Sequence, residues 1–130
     1  VTVSTEKPLR VFIAENHADL SDVMARLIDS EPDMCCVGCA DRANAVIPAV
    51  RDSRADALVL DLMLQGGSGM RLIEDLASSL PKLRIVVFSG HSNEELARET
   101  LHRGAAAFVT KGSDPAVLLG ELRRGTTATA

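Results

Sequence analysis

The chain predicts an α/β fold of the (βα)5 type: a doubly wound, five-stranded parallel sheet with helices on both faces. Three observations carry that expectation. Short apolar runs alternate with helix-length amphipathic stretches along the whole chain. The runs are apolar without a break, as in Ile85-Val86-Val87-Phe88, which is how strands covered on both faces read. Polar residues gather just after the runs, where open α/β sheets hold their ligand crevice. Right-handed crossovers between parallel strands then give three layers.

The first strand is Leu9 to Ala14, with Glu15-Asn16-His17 at its carboxyl end. Leu20, Val23, Met24, Leu27 and Ile28 follow at helical spacing and predict one apolar stripe, ending before Pro32. The second strand covers Met34 to Ala40. A second helix runs from Arg42 to Ser53, with Asp41 as its expected N-cap and a kink or late start at Pro48. Ala57 to Leu60 is the third strand and runs straight into Asp61. Three glycines follow within eight residues of that acid.

Ser68 or Gly69 opens the third helix, whose core positions are Leu72, Ile73, Leu76 and Leu80; it stops before Pro81. Arg84 to Ser89 is the fourth strand. Ser92-Asn93-Glu94-Glu95 reads as a capping box for a fourth helix with Leu96, Thr100 and Leu101 on its apolar side and Gly104 as its stop. Ala106 to Thr110 is the fifth strand, followed by Lys111. Asp114 caps the last helix, with Pro115 in its first turn, running to about Arg124. Residues 9–124 thus form one domain. Residues 1–8 read as a flexible tail, and 125–130 as a tail or the start of a linker.

Composition narrows the function. Hydrophobic residues make up 46% of the chain and charged residues 25%, which fits a globular domain and argues against disorder. The net charge is −4, and no basic cluster extends beyond Arg123-Arg124, so direct nucleic-acid binding is not expected. No apolar run approaches a membrane span, and the N-terminus lacks a signal-peptide core, so a cytoplasmic location and no membrane contact are expected. Cys35, Cys36 and Cys39 sit in one strand. Residues 36 and 39 would then be roughly 10 Å apart, too far to share a zinc ion, and small buried reduced thiols are expected.

The strand ends collect Glu15, Asn16, Asp61, Ser89 and Lys111. Two carboxylates with an amide oxygen make an oxygen-rich site suited to Mg2+. A lysine and a hydroxyl beside a carboxylate nucleophile complete the parts needed to move a phosphoryl group onto an aspartate.

With these residues in place the chain resembles the receiver domains of two-component response regulators. The resemblance rests on Glu15-Asn16, on Leu58-Val59-Leu60-Asp61-Leu62-Met63 with Gly69 after it, on Ser89-Gly90, and on Gly104-Ala105, Phe108 and Lys111. It covers Leu9 to Arg124 and implies a flavodoxin-like sheet in the order 2-1-3-4-5. It further implies that Asp61 accepts a phosphoryl group from a phosphohistidine on a sensor histidine kinase or phosphotransfer protein. Glu15, Asn16, Asp61 and the Met63 carbonyl would surround Mg2+. Ser89 and Lys111, with the Met63 and Gly90 amides, would hold the phosphoryl oxygens. Phe108 would be a rotameric switch coupled to Ser89, and the neighbourhood of Glu94, Ala107 and Leu118 would be the output face, with homodimerisation on activation. The reaction is self-catalysed, so the domain is a switch rather than an enzyme.

Asn16 stands where the family usually supplies a second acid, Gln65 where a proline is common, and Gly112 follows Lys111 in place of the frequent proline. The alternative is a degenerate receiver that works by protein contact alone, without phosphorylation. An aspartyl-nucleophile phosphatase would want an acid at Met63, and an FMN carrier a hydroxyl-rich loop at Glu15-Asn16-His17.

Overall fold

A computed structural model describes residues 7–91 and 93–124. The expected tails therefore lie outside the described residues, apart from Lys7 and Pro8. Ten elements alternate: β1 Leu9–Ala14, α1 Ala18–Asp29, β2 Met34–Ala40, α2 Ala43–Ser53, β3 Ala57–Leu60, α3 Gly69–Ser79, β4 Arg84–Ser89, α4 Glu94–Arg103, β5 Ala107–Thr110 and α5 Pro115–Arg123. The five strands form one parallel sheet in the order β2-β1-β3-β4-β5.

Alternation of side chains along each strand builds two cores. Val11, Ile13, Val59, Val86 and Val109 face α1 and α5, where Met24, Ile28, Leu118 and Leu122 meet them. Phe12, Ala14, Leu58, Leu60, Ile85 and Val87 face the other way, onto Val46 and Val50 of α2 and Leu72, Ile73 and Leu76 of α3. Burying both faces fixes the register, because a one-residue slip would swap every side chain between the two cores.

Several local expectations change. Asp41 does not cap α2. Arg42 is extended and forms an isolated parallel bridge with Gln65, so the helix starts at Ala43, whose N–H donates to the Gln65 carbonyl at 2.8 Å. Pro48 lies inside that helix rather than delaying its start. Ser92 of the expected capping box lies outside the described residues; Asn93 is the N-cap, accepting from the Glu95 and Leu96 amides. Ser68 and Asp114 cap α3 and α5 through their side chains as expected.

Val23 and Leu101, expected on apolar stripes, are exposed. Of the three residues named for the output face, only Glu94 is exposed. Ala107 and Leu118 point into the core shared with α1.

The thiols are not buried as expected, because β2 is an edge strand. Cys39 is exposed, and Cys35 and Cys36 are half-buried. Cys36 and Cys39 lie on the same side of the sheet. A bulge steps the pairing from Val11↔Cys36 to Phe12↔Gly38, and Ile13↔Cys39 then returns Cys39 to the side of Cys36. Burial pushes the Cys36 thiol up to about 11, and the neighbouring Cys39 adds to the rise. Among the described residues the cysteines join no cluster able to hold a metal.

Candidate functional site: an acid pocket at the carboxyl edge of the sheet

β1 and β3 lie side by side at the centre of the sheet, with Ala14 paired to Leu60. Each strand hands its next residue to the same edge. Glu15 and Asp61 are therefore neighbours, exposed by only 2% and 3%. Two buried acids at such a distance repel one another and need a cation.

Lys111 supplies one, entering from the end of β5. Its Nζ lies 3.0 Å from Glu15 Oε1, 3.2 Å from Glu15 Oε2 and 3.5 Å from Asp61 Oδ2. The same ammonium stands 5.9 Å from the Phe88 ring centroid. Lys111 is aimed there because its amide continues the β4–β5 ladder, donating to the Ser89 carbonyl at 2.7 Å.

Backbone amides hold the carboxylates. Met63 N–H donates to Asp61 Oδ1 at 2.9 Å, and Asn16 N–H to Asp61 Oδ2 at 3.3 Å. His17 folds back on Glu15: its amide donates to Oε2 at 3.1 Å, and its ring Nδ1 lies 3.0 Å from the same oxygen. Gly69 lets α3 start against this loop. A Cβ there would sit 2.6 Å from the Leu62 carbonyl oxygen and 2.8 Å from Leu62 Cα, one residue beyond Asp61.

The structure thus brings Glu15, Asp61 and Lys111 together, with the backbone of Asn16 and Met63. The Asn16 side chain is drawn elsewhere: its Oδ1 accepts from Gln65 Nε2 at 3.4 Å, and Gln65 Oε1 accepts from Arg42 Nη1 at 3.3 Å. Ser89 is buried at the end of β4, its Oγ accepting from the His91 amide at 3.1 Å. Gly90 is exposed with open space around its Cα. Val87 pairs with Phe108 and Ser89 with Thr110, so Ser89 and the half-buried Phe108 share one face of the sheet in adjacent strands.

Two residues of the neighbourhood lay outside the sequence-based set, His17 as a contributor and Gln65 as a contact. His17 carries the one available signal, an imidazole in the strand-end triplet Glu15-Asn16-His17.

The donor set fits a divalent cation. Two buried carboxylates face one ammonium, leaving a net negative charge out of water. Glu15 Oε1 is fully buried and, among the described residues, accepts no hydrogen bond; its contact with Lys111 is an ion pair without hydrogen-bond alignment. Glu15, His17 and Asp61 each offer a ligand atom within 4.8 Å of the others.

A doubly wound parallel sheet with such an acid pocket at its carboxyl edge defines an α/β module whose charged residues gather on strand ends. The chain belongs to the response regulator receiver domain family, whose model matches residues 11–123. It is 30% identical over 122 residues to the nitrate/nitrite response regulator protein NarL of Escherichia coli, covering 94% of this chain and 56% of that protein. It is 33% identical over 124 residues to the methanol utilization control regulatory protein MoxX of Paracoccus denitrificans, covering 92% of this chain and 55% of the other. Among solved structures, a two-component response regulator of the LuxR family from Aurantimonas superposes with a TM-score of 0.82 at 28% identity, over 88% of this chain and 81% of that one. The response regulator domain of Thermotoga maritima CheB gives a TM-score of 0.85 at 23% identity over 92% and 96% of the two chains, a likeness of fold. The chain spans about half the length of the curated relatives it matches. No helix among the described residues is long and apolar enough to cross a membrane.

Proposed function

We propose that this receiver domain accepts a phosphoryl group on Asp61 in an Mg2+-dependent reaction. The donor is a phosphohistidine of a sensor histidine kinase or phosphotransfer protein. The observation that carries the reading is the buried Asp61 carboxylate beside Lys111 and Glu15 at the carboxyl end of the central strand. An Asp61 carboxylate oxygen attacks phosphorus, an O–P bond forms, and the P–N bond to the donor imidazole breaks with its electron pair leaving on that nitrogen. Transfer of this kind depends on alignment and on neutralising oxygen charge. The Met63 amide fixes the plane of the Asp61 carboxylate beforehand. Lys111 would offset charge on the transferred oxygens, and the Ser89 hydroxyl and the Met63 and Gly90 amides would donate to them. Glu15, Asp61 and the Met63 carbonyl would hold Mg2+, joined by the Asn16 amide oxygen when it is released from Gln65, and the ion would supply further positive charge to those oxygens.

The readout follows from the sheet. Ser89 moving toward a phosphoryl group vacates space beside Phe108, whose ring has no hydroxyl to leave unpaired on burial. That shift changes the α4–β5–α5 face and with it the contacts of a partner or a second copy. Residues 9–124 act as the receiver unit. Relatives of about twice this length include a protein named as a DNA-binding transcriptional activator, and any DNA-binding output would lie outside residues 9–124. The domain itself contacts protein partners in the cytoplasm and is a switch rather than an enzyme.

The contact-only reading has one observation in its favour, the Asn16 side chain held by Gln65 and away from the acids. Incubation with acetyl phosphate and Mg2+, followed by intact mass, decides between them. One hydroxylamine-labile phosphoryl group per chain is expected, and Asp61→Asn abolishes it. Undiminished labelling of that variant refutes Asp61 as acceptor, and an unlabelled wild type favours contact alone.

A further inference from the structure

We infer that His17 is a nitrogen ligand of the acid-pocket cation, taking the place left by Asn16 and turning the site toward first-row transition ions such as Mn2+. The inference rests on the metal-dependent reading above and deepens it.

The geometry is that of a coordination edge. His17 Nδ1 and Glu15 Oε2 are 3.0 Å apart. Two ligands each about 2.1 Å from one ion, at a right angle, are separated by about 3.0 Å. Asp61, Glu15 and His17 each offer a ligand atom within 4.8 Å of the others. The backbone holds the imidazole in this place, because the His17 amide donates to the same Glu15 oxygen at 3.1 Å. The ring is exposed on its outer side, its side chain 69% accessible, so Nε2 can keep its proton and donate to water while Nδ1 turns its lone pair inward. The exchange balances: Nδ1 gives up its hydrogen bond to Glu15 Oε2, the proton resides on Nε2, and the cation takes the shared edge.

Lys111 Nζ reaches both Glu15 oxygens, 3.0 Å from Oε1 and 3.2 Å from Oε2, so a cation on Oε2 displaces its hydrogen bond there and leaves it paired with Oε1. Meanwhile the Asn16 amide oxygen, a hard ligand suited to Mg2+, is occupied by Gln65. Exchanging a hard oxygen for an imidazole raises affinity along the first-row series relative to Mg2+.

Mn2+ is the probe, because it has little affinity for the thiols on β2 and its electron spin reports bound nitrogen directly. Pulsed EPR of the Mn2+-loaded domain is expected to show coupling to one imidazole nitrogen. His17→Gln removes that coupling and lowers the ratio of Mn2+ to Mg2+ affinity about ten-fold. His91→Gln, which alters the imidazole two residues beyond Ser89, keeps both. Coupling that persists in His17→Gln, or an unchanged affinity ratio, overturns the proposal. Mn2+ bound through oxygen alone, with normal acetyl phosphate labelling of Asp61 in Mg2+, overturns the role of His17 and leaves the proposed function standing. A wild-type domain that binds neither ion overturns both.

Discussion

Lys111→Met tests whether the acid pocket is held shut by one ammonium. The variant keeps the length and apolar stem of the side chain and removes its charge. Lys111 lies 3.0 Å from Glu15 and 3.5 Å from Asp61, and its side chain is 20% exposed. At an effective dielectric of about 20, such separations give roughly 5 kcal/mol of gross attraction to each acid. Much of this is offset by the desolvation of the lysine itself. Removing the ammonium leaves two buried acids without their cation, so a loss of stability of about 3–4 kcal/mol at pH 7 in chelator is expected.

A divalent cation at about 100 times its Kd adds about 2.7 kcal/mol to whichever protein binds it, so Mg2+ narrows the gap only as far as the variant, freed of the competing ammonium, binds it more tightly. Urea unfolding at pH 7, with chelator and with Mg2+, measures both quantities. Equal stability of the two proteins in chelator at pH 7 would show that Lys111 does not neutralise the acids.

Two further outcomes concern the scaffold. The Arg123 guanidinium beside Asp33 holds that carboxyl below the usual range, by hydrogen bonds at 2.6 and 3.0 Å that outweigh partial burial. A depressed folded pKa contributes stability above the unfolded value and loses it as pH falls through the folded one. Asp33 is 51% exposed, so screening limits the effect to about 0.2–1 kcal/mol. Urea midpoints of wild type and Asp33→Asn should differ at pH 7 and converge below about pH 4; parallel curves refute the pairing. Gly69→Ala drives a Cβ into the Leu62 backbone, which cannot rotate away. A loss of about 1–3 kcal/mol is expected, together with slower labelling of Asp61 next door; a variant as stable as wild type refutes the close approach.

The sheet was legible because both of its faces are buried. All five strands could be placed from short apolar runs, β2 at Met34–Ala40 included, and the turn residues after the runs marked the functional edge. β2 is the strand whose side chains were misjudged, and for a local reason. Nothing in Met34-Cys35-Cys36-Val37-Gly38-Cys39-Ala40 announces a bulge, which arises from pairing with β1. The sequence shows Gly38 but not the Phe12 ring that lies against it, where a Cβ would meet the ring at 2.7 Å. Asp41 lost its place as a cap to a contact 23 positions away in sequence, the bridge from Arg42 to Gln65. Exposure of Leu101 and Val23 shows a similar limit: helical spacing gives a stripe, while the neighbouring elements decide how wide a stripe is covered.

The site shows the same division more sharply. Glu15, Asp61 and Lys111 could be grouped from sequence because strand order alone brings their backbones to one edge. Asn16 could not be judged that way. As a residue type it is a metal ligand with one charge missing. In the structure its fate is set by a residue 49 positions away, Gln65, whose position depends on the bridge to Arg42. The departures at Asn16 and Gln65 are therefore one feature, not two: the glutamine stands where it can hold the amide that replaces the acid. Removing either partner changes the other's freedom. His17, on the far side of the triplet, remains pointed at Glu15 whichever way that amide turns, because its own backbone N–H anchors it there. That independence is why the imidazole, rather than the asparagine, is the third group on which this pocket's cation chemistry depends.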